Sequence, residues 1–227
     1  MSTHTPSKTI YYPDSDGLPM AENTLQFRWI TTIVGGLEAL FREDPNVFVA
    51  GDLFWYPVEG DNRTRTAPDA MVAFGRPKGD RGSYMQWDED GIPPQVVFEV
   101  LSPGNRFGEM ARKLAFYERF GVEEYYLFNP EPVWLEGWLR EGDTLHEISE
   151  TNGWLSPRLG VCFELTDSEF RILGPDGRPF ESYMDIVRRA EDERRRADDE
   201  RRRAEDERRR ADRMAEQLRS LGLDPDA

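Results

Sequence analysis

The stretch VVFEVLSPGNRFGEMARKLAFYERFGVEEYYLFNP, residues 96–130, holds two apolar runs separated by a helical pattern. The first run, residues 96–101, is short and β-branched, which is typical of a strand buried on both faces. An apolar stripe at helical spacing follows, formed by Met110, Leu114, Tyr117 and Phe120. Gly121 ends the helical pattern, and a second strand follows within residues 122–130. The succession of strand, helix and strand predicts a right-handed crossover between two parallel strands.

A carboxylate lies inside the first of these strands, at Glu99. A buried charge persists only when it is paired, hydrogen-bonded or bound to a metal ion. A second carboxylate, Asp69, stands at the entrance of another apolar strand, within APDAMVAF. Two strand carboxylates in apolar surroundings suit a hard divalent cation such as Mg²⁺ or Mn²⁺, and the carbonyl of Val100 is a natural further ligand. An alternative for Asp69 is that it only caps its strand after Pro68.

The helix after Glu99 offers a positive charge to the same place. Lys113 borders the apolar stripe rather than facing away from it, because it lies three residues after Met110 and four before Tyr117. Glu109 stands one turn earlier, so the alternative is an ordinary surface pair between Glu109 and Lys113.

The remaining elements surround this unit. Residues 22–42 carry a helical apolar stripe, in which Gly35 and Gly36 predict close packing against a sheet. The other segments are predicted as a strand pair in 47–60 and 64–75, a loop in 76–94, a hairpin in 133–149, and closing strands in 159–165 and 170–180. The expected fold class is therefore α/β (or α+β), a mixed β-sheet flanked by helices.

The chain of 227 residues divides by composition into four segments. We expect an extended lead-in (1–21), one folded domain (22–183), a charged heptad-repeat helix (184–221) and a flexible end (222–227). The N-terminal sequence lacks the basic and then apolar pattern of a signal peptide, and no apolar run is long enough to span a membrane. We therefore expect a cytoplasmic protein.

Charge is distributed unevenly along the chain. Residues 1–187 hold 16 basic and 31 acidic side chains, which argues against broad nonspecific binding of nucleic acid by the body of the protein. The tail repeats Ala, three acids and three arginines every seven residues, and it provides acid–arginine pairs four residues apart: Glu191–Arg195, Asp198–Arg202 and Glu205–Arg209. A solvated single helix is one interpretation of this repeat. A weak dimerising coiled coil, and with it a homodimer, is the other.

Cysteine and histidine chemistry does not explain the buried carboxylate. The chain has one cysteine and two histidines, far apart, so neither an internal disulfide nor a Cys/His zinc site is expected. No glycine-rich phosphate-binding loop is present either.

Three stretches of the sequence resemble a known protein family. The segments DSDGLPMAENTLQFRWI, APDAMVAF and residues 96–130 resemble the Uma-two family of bacterial endonucleases, which has the PD-(D/E)XK, restriction-endonuclease-like fold. The similarity covers about residues 12–180 and excludes the charged tail. Four motifs are specific for this family when they occur together: Pro-Asp, Glu-Val-x-Ser-Pro, acid-x-x-x-Lys-x-x-x-Tyr and Gly-Val-x-Glu-Tyr.

The resemblance implies roles for individual residues. Asp69 and Glu99 match the metal-binding acids, and Lys113 matches the lysine that this family carries on the helix. The commoner motif has lysine two residues after the second acid, where this chain has Leu101. Glu22 matches an acid that the fold often places near the metal.

Two further positions depart from the family pattern. Gln26 stands where relatives commonly carry histidine, and Glu109 stands where aspartate is usual.

The activity implied is Mg²⁺- or Mn²⁺-dependent hydrolysis of nucleic-acid phosphodiester bonds, with DNA the expected substrate. Two alternatives stay open. One is a nuclease-fold protein that no longer cleaves and serves as a binding or assembly module. The other is an interaction protein that acts through its charged helix.

Overall fold

The structure, a computed structural model, describes residues 10–14, 17, 21, 23–104, 107–166 and 169–220. Most of the predicted lead-in and all of the predicted flexible end lie outside these residues. The chain forms two compact units, Met1–Ser182 and Tyr183–Ala227. Within the described ranges, no helix is long and apolar enough to cross a membrane.

The bounds of the elements follow in chain order. The helices are α1 (Thr24–Leu40), α2 (Phe107–Phe120) and α3 (Tyr183–Ser220). The strands are β1 (Val47–Ala50), β2 (Trp55–Tyr56), β3 (Ala70–Phe74), β4 (Tyr84–Met85), β5 (Val96–Val100), β6 (Glu124–Pro130), β7 (Val133–Glu141), β8 (Thr144–Glu147), β9 (Cys162–Leu165) and β10 (Phe170–Leu173).

A mixed six-stranded sheet, in the order β1-β3-β5-β6-β7-β8, forms the centre of the first unit. Neighbouring strands are antiparallel except β5 and β6, which are parallel and are joined through α2. The predicted parallel crossover and the predicted hairpin, β7–β8, are therefore confirmed. The predicted fold class, a mixed sheet with helices, is confirmed as well.

The central strand β5 is buried on both faces, as its composition predicted. Val96, Phe98 and Val100 pack in one apolar cluster with residues of α1, such as Ile33. Val97 packs in a second cluster together with residues of α2. Since successive side chains of a strand point to opposite faces, α1 and α2 cover opposite faces of the sheet.

The predicted strand pair of 47–60 with 64–75 is present as the antiparallel pair β1 and β3, but the rest of the segment between β1 and β5 differs from its prediction. The apolar run 47–60 is not one strand, because Asp52 adopts a left-handed conformation (φ 48°) and separates β1 from β2. The predicted loop 76–94 contains β4, which pairs with β2 in parallel, and a 3-10 turn at Gln86–Glu89. Burial of the aromatic side chains of both short strands stabilises this pair.

The two glycines of α1 have different surroundings. A Cβ added at Gly36 would lie 2.1 Å from a ring carbon of Phe180, whereas a Cβ at Gly35 would meet nothing within 4 Å. Close packing is therefore present at Gly36 alone, and its partner is Phe180 rather than the sheet.

Helix α3 contains 38 residues and has ion pairs along its own surface. Arg189–Glu193 and Arg201–Glu205 are spaced by four residues, and Arg188–Asp185 and Arg195–Asp192 by three. The three pairs expected from the repeat are not among the ion pairs of the described part of this helix. Arg195 and Glu205 each contact a different partner from the one expected.

Candidate active site

Glu99 lies near the carboxyl end of β5, on the face covered by α2, and is only 2% exposed. Its two oxygens have different partners. The ammonium of Lys113 lies 2.7 Å from Oε2, and the hydroxyl of Tyr117 donates a hydrogen bond to Oε1. Lys113 and Tyr117 are four residues apart, so one face of α2 presents both donors to the same carboxylate.

Asp69 reaches the same place from the neighbouring strand. The antiparallel register pairs Ala70 with Phe98, and one further step sets Asp69 opposite Glu99. Residues directly opposite in an antiparallel pair have side chains on the same face. Asp69 Oδ2 accepts a hydrogen bond from the backbone N–H of Val100 at 2.6 Å. Asp69, Glu99 and Lys113 therefore converge at one end of the sheet.

The charges in this site influence one another. Burial, and then the charge of Glu99, raise the pKa of Asp69 well above its usual value, while Lys113 opposes the rise. Burial alone would lower the pKa of Lys113, but the charges of Glu99 and Asp69 outweigh it and raise that pKa. Lys113 is therefore an ammonium ion at neutral pH. Burial and the charge of Glu99 raise the pKa of Tyr117 well above its usual value, so its hydroxyl is a hydrogen-bond donor.

The donor set fits a hard divalent cation. When both carboxyl groups are ionised, two carboxylates and one ammonium leave an excess of negative charge at this site. Oδ1 of Asp69 has no hydrogen bond within the described part of the chain. Mg²⁺ is commonly held by one or two carboxylates and keeps several waters. Among the described residues no group of three or more His, Cys, Asp and Glu could hold a metal ion. The only carboxylates that the described residues would supply to this site are therefore Asp69 and Glu99, and a backbone carbonyl and water would complete the coordination.

Val100, which follows Glu99, is held on both sides of its backbone. Its N–H donates to Asp69, and its carbonyl accepts a hydrogen bond of 2.8 Å from Nε2 of Gln26, a buried residue of α1. Gln26 thus ties α1 to the end of β5. A carbonyl oxygen has two lone pairs, so among the described residues one lone pair of Val100 is left for a further ligand.

The other predicted residues have different outcomes. Glu22 lies outside the described residues. Glu109 is half-buried on α2, and its charge contributes to raising the pKa of Lys113. Leu101, at the usual lysine position, packs against the apolar cluster of α2.

Sequence reasoning assigned Tyr117 to the apolar stripe and missed its hydrogen bond to Glu99. The signal that could have identified it is its spacing of four residues from Lys113.

A buried strand carboxylate facing a lysine of the following helix, with an aspartate at the start of the neighbouring strand, is the arrangement expected of a restriction-endonuclease-like nuclease. The sequence profile of the Uma2 family, described as "Putative restriction endonuclease", matches residues 17–167. The chain belongs to the Uma2 family, as its motifs predicted.

Comparison with solved structures finds a weaker likeness. The crystal structure of "a putative nuclease belonging to DUF820 from Anabaena variabilis" is similar with a TM-score of 0.45 and 14% sequence identity, over 60% of this chain and 72% of that one. No protein with a curated description matches the chain.

Proposed function

We propose that this protein is a metal-dependent endonuclease that hydrolyses phosphodiester bonds of nucleic acid, with DNA as the substrate. The observation that supports it best is the buried Glu99, which Lys113 contacts at 2.7 Å opposite Asp69. Asp69 and Glu99 would hold Mg²⁺ or Mn²⁺, and the remaining lone pair of the Val100 carbonyl is a further ligand in the proposal. Membership of a family described as a restriction endonuclease supports the same activity.

Each side chain has a role that follows from its charge. A bound Mg²⁺ ion polarises a phosphoryl oxygen and lowers the pKa of bound water. Lys113 is protonated, so it donates hydrogen bonds and offsets the negative charge that develops on the phosphorus oxygens. Because it donates rather than accepts, Lys113 orients the attacking water instead of removing its proton. Asp69 offers a carboxylate oxygen that is free of other hydrogen bonds within the described part of the chain.

A second candidate function is a nuclease-fold module that binds without cleaving. The observation that favours it is that Lys113 and Tyr117 already occupy both oxygens of Glu99. In that case the cluster would stabilise the fold and bind no cation.

The experiment that separates the two is calorimetric titration with Mn²⁺, followed by nicking of supercoiled plasmid in Mg²⁺ or Mn²⁺. We expect the wild-type protein to bind Mn²⁺ and to nick the plasmid. Glu99→Gln and Asp69→Asn should each weaken binding strongly and abolish nicking, because each removes one of two charged ligands. A folded wild-type protein that neither binds Mn²⁺ nor nicks the plasmid would overturn the proposal and support the second candidate. Mn²⁺ binding without nicking would overturn the proposed cleavage and would also contradict the second candidate, in which the cluster binds no cation.

Glu124→Gln is the matched control. Glu124 is a second fully buried strand glutamate, and it accepts hydrogen bonds from the hydroxyls of Tyr126 and Ser156 and from the N–H of Arg158. It lies on the opposite face of the sheet from Glu99, because its register partner Val96 is three residues from Glu99. Its replacement should lower stability while the folded protein still binds Mn²⁺ and nicks DNA.

A further inference from the structure

We infer that Tyr117 is a positioning residue of this site, which holds Glu99 in the orientation that binds the divalent cation. The inference rests on the proposed function, since it concerns how the same site binds metal. Its basis is the hydrogen bond from the Tyr117 hydroxyl to Oε1 of Glu99.

The carboxylate of Glu99 is fixed by two donors that come from one helix. Oε2 faces Lys113 and Oε1 faces Tyr117, one turn of α2 further along. Rotation of the carboxylate would break both interactions at a site where the residue is 2% exposed and water cannot replace them. The plane of the carboxylate is therefore defined before any cation binds.

The ring of Tyr117 cannot follow a movement of Glu99. Tyr117 is fully buried, and its ring lies parallel to that of Trp55, with 6.4 Å between centroids. The rings of Tyr125 and Phe116 contact it from other sides, at 5.0 and 5.9 Å. Close packing of this kind holds a side chain in a single rotamer.

Lys113 differs from Tyr117 in this respect. Its side chain is 21% exposed, and a flexible chain of four carbons carries its ammonium group. Lys113 can therefore break its contact with Oε2 when a cation binds, whereas the hydroxyl of Tyr117 would remain hydrogen-bonded to Oε1. In this arrangement Glu99 would help to hold the cation, and the ammonium of Lys113 would be free to interact with the substrate phosphate.

The test is Tyr117→Phe, which removes only the hydroxyl. Outer hydrogen bonds to metal ligands typically contribute about 10–100-fold to metal affinity, so we expect Mn²⁺ to bind at least about 10-fold more weakly in calorimetry. At saturating Mn²⁺ the nicking rate should fall while KM for DNA stays unchanged. A variant that is merely less well folded would lower the number of sites per chain and leave the Kd unchanged, so the titration separates the two effects.

Tyr125→Phe is the matched control. Tyr125 is buried on the same face and contacts Tyr117, but its hydroxyl has no hydrogen-bond partner within the described residues. Its removal should leave Mn²⁺ affinity unchanged. Equal Mn²⁺ affinity of Tyr117→Phe and wild type, with one site per chain in both, would overturn the inference and leave the proposed function standing. A wild-type protein that binds no Mn²⁺ would overturn both.

Discussion

In the metal-free protein, the negative charge of Asp69 lowers the free energy of unfolding. Burial and the charge of Glu99 raise its pKa in the folded state, so the folded protein holds the proton more tightly than the unfolded chain does. This destabilisation is absent at pH values below the pKa that Asp69 has in the unfolded chain. It develops as the pH rises through the higher pKa that Asp69 has in the folded protein. Asp69→Asn, which removes this charge, should therefore raise the free energy of unfolding at neutral pH.

Urea titrations without metal, at acidic and neutral pH, measure this difference. The gain should shrink as the pH falls toward the unfolded pKa of aspartate. Asp61→Asn is a control of opposite sign, because hydrogen bonds from Thr64 and from the Arg63 N–H lower the pKa of Asp61. Its loss should reduce stability at neutral pH and not at acidic pH. Equal stability of Asp69→Asn and wild type at neutral pH would contradict the predicted cost.

Glu99 and Glu124 show how much of the environment of a buried residue can be predicted from the sequence. Both lie in apolar strands and both are buried, so their sequence contexts are alike. Glu124 is satisfied by two hydroxyls and a backbone N–H, whereas Glu99 faces an ammonium and a second carboxylate. Ser156 and Arg158 lie more than 30 residues from Glu124 in the chain, whereas Lys113 lies on the helix that directly follows Glu99. The sequence therefore predicts that a buried carboxylate needs partners. For Glu99 the motif spacing also pointed to Lys113 and Asp69, whereas the partners of Glu124 have no such signal and follow only from the fold.

At the scale of the helix, Gly35 and Gly36 of α1 should respond in opposite directions to the same substitution. Alanine is favoured over glycine in a helix by about 1 kcal/mol. Gly35→Ala meets open space, so it should stabilise the protein by about 0.5–1 kcal/mol. Gly36→Ala would place its Cβ against the ring of Phe180, and this overlap should cost about 1–3 kcal/mol beyond the gain in helix propensity.

Thermal or urea unfolding of the two variants checks this pair, and each serves as the control for the other. Stabilisation by Gly36→Ala would mean that Phe180 moves away at little cost. If Gly36→Ala is destabilising as expected, adding Phe180→Leu should recover part of the lost stability, because the smaller side chain relieves the overlap.

The elements that sequence patterns predicted are those with a local signal. The β5–α2–β6 crossover carries an apolar run, a helical stripe and a terminal glycine, and β7–β8 carries a turn between two strands. Strands β2 and β4 have two residues each, and the segment between them in the chain contains β3. Strands of that length have no periodicity of their own. They form because burial of Trp55 and Tyr84 stabilises them, and that is a property of the whole fold.

At the scale of the whole molecule, the two units carry different electrostatics. The net charge of residues 1–187 is −15, whereas residues 188–219 hold 13 arginines and 11 acids, which nearly cancel. A body of this charge repels a DNA backbone at long range. Under the proposed function, attraction of the substrate would therefore have to come from local groups and from a bound cation. The tail adds little field of its own.

The tail itself should be a monomeric, solvated helix. In the repeat, charged residues four apart are almost always of opposite sign, and α3 forms such pairs as Arg189–Glu193 and Arg201–Glu205. Each pair contributes only about 0.2–0.5 kcal/mol, but the contributions accumulate along the helix. A coiled coil needs two apolar positions per heptad, and the central repeats offer a single alanine. Light scattering of the full chain should therefore give the monomer mass at all concentrations.

Deletion of residues 188–227 should lower the mass only by that of the deleted segment and leave Mn²⁺ affinity unchanged. Glu205→Arg is the sharper test, because it replaces attraction to Arg201 by repulsion within one helix. In a single helix this substitution should lower the ellipticity at low salt, and added salt should restore part of it by screening the repulsion. A mass twice that of the monomer, lost on deletion of the tail, would instead establish a dimer held by the coiled coil.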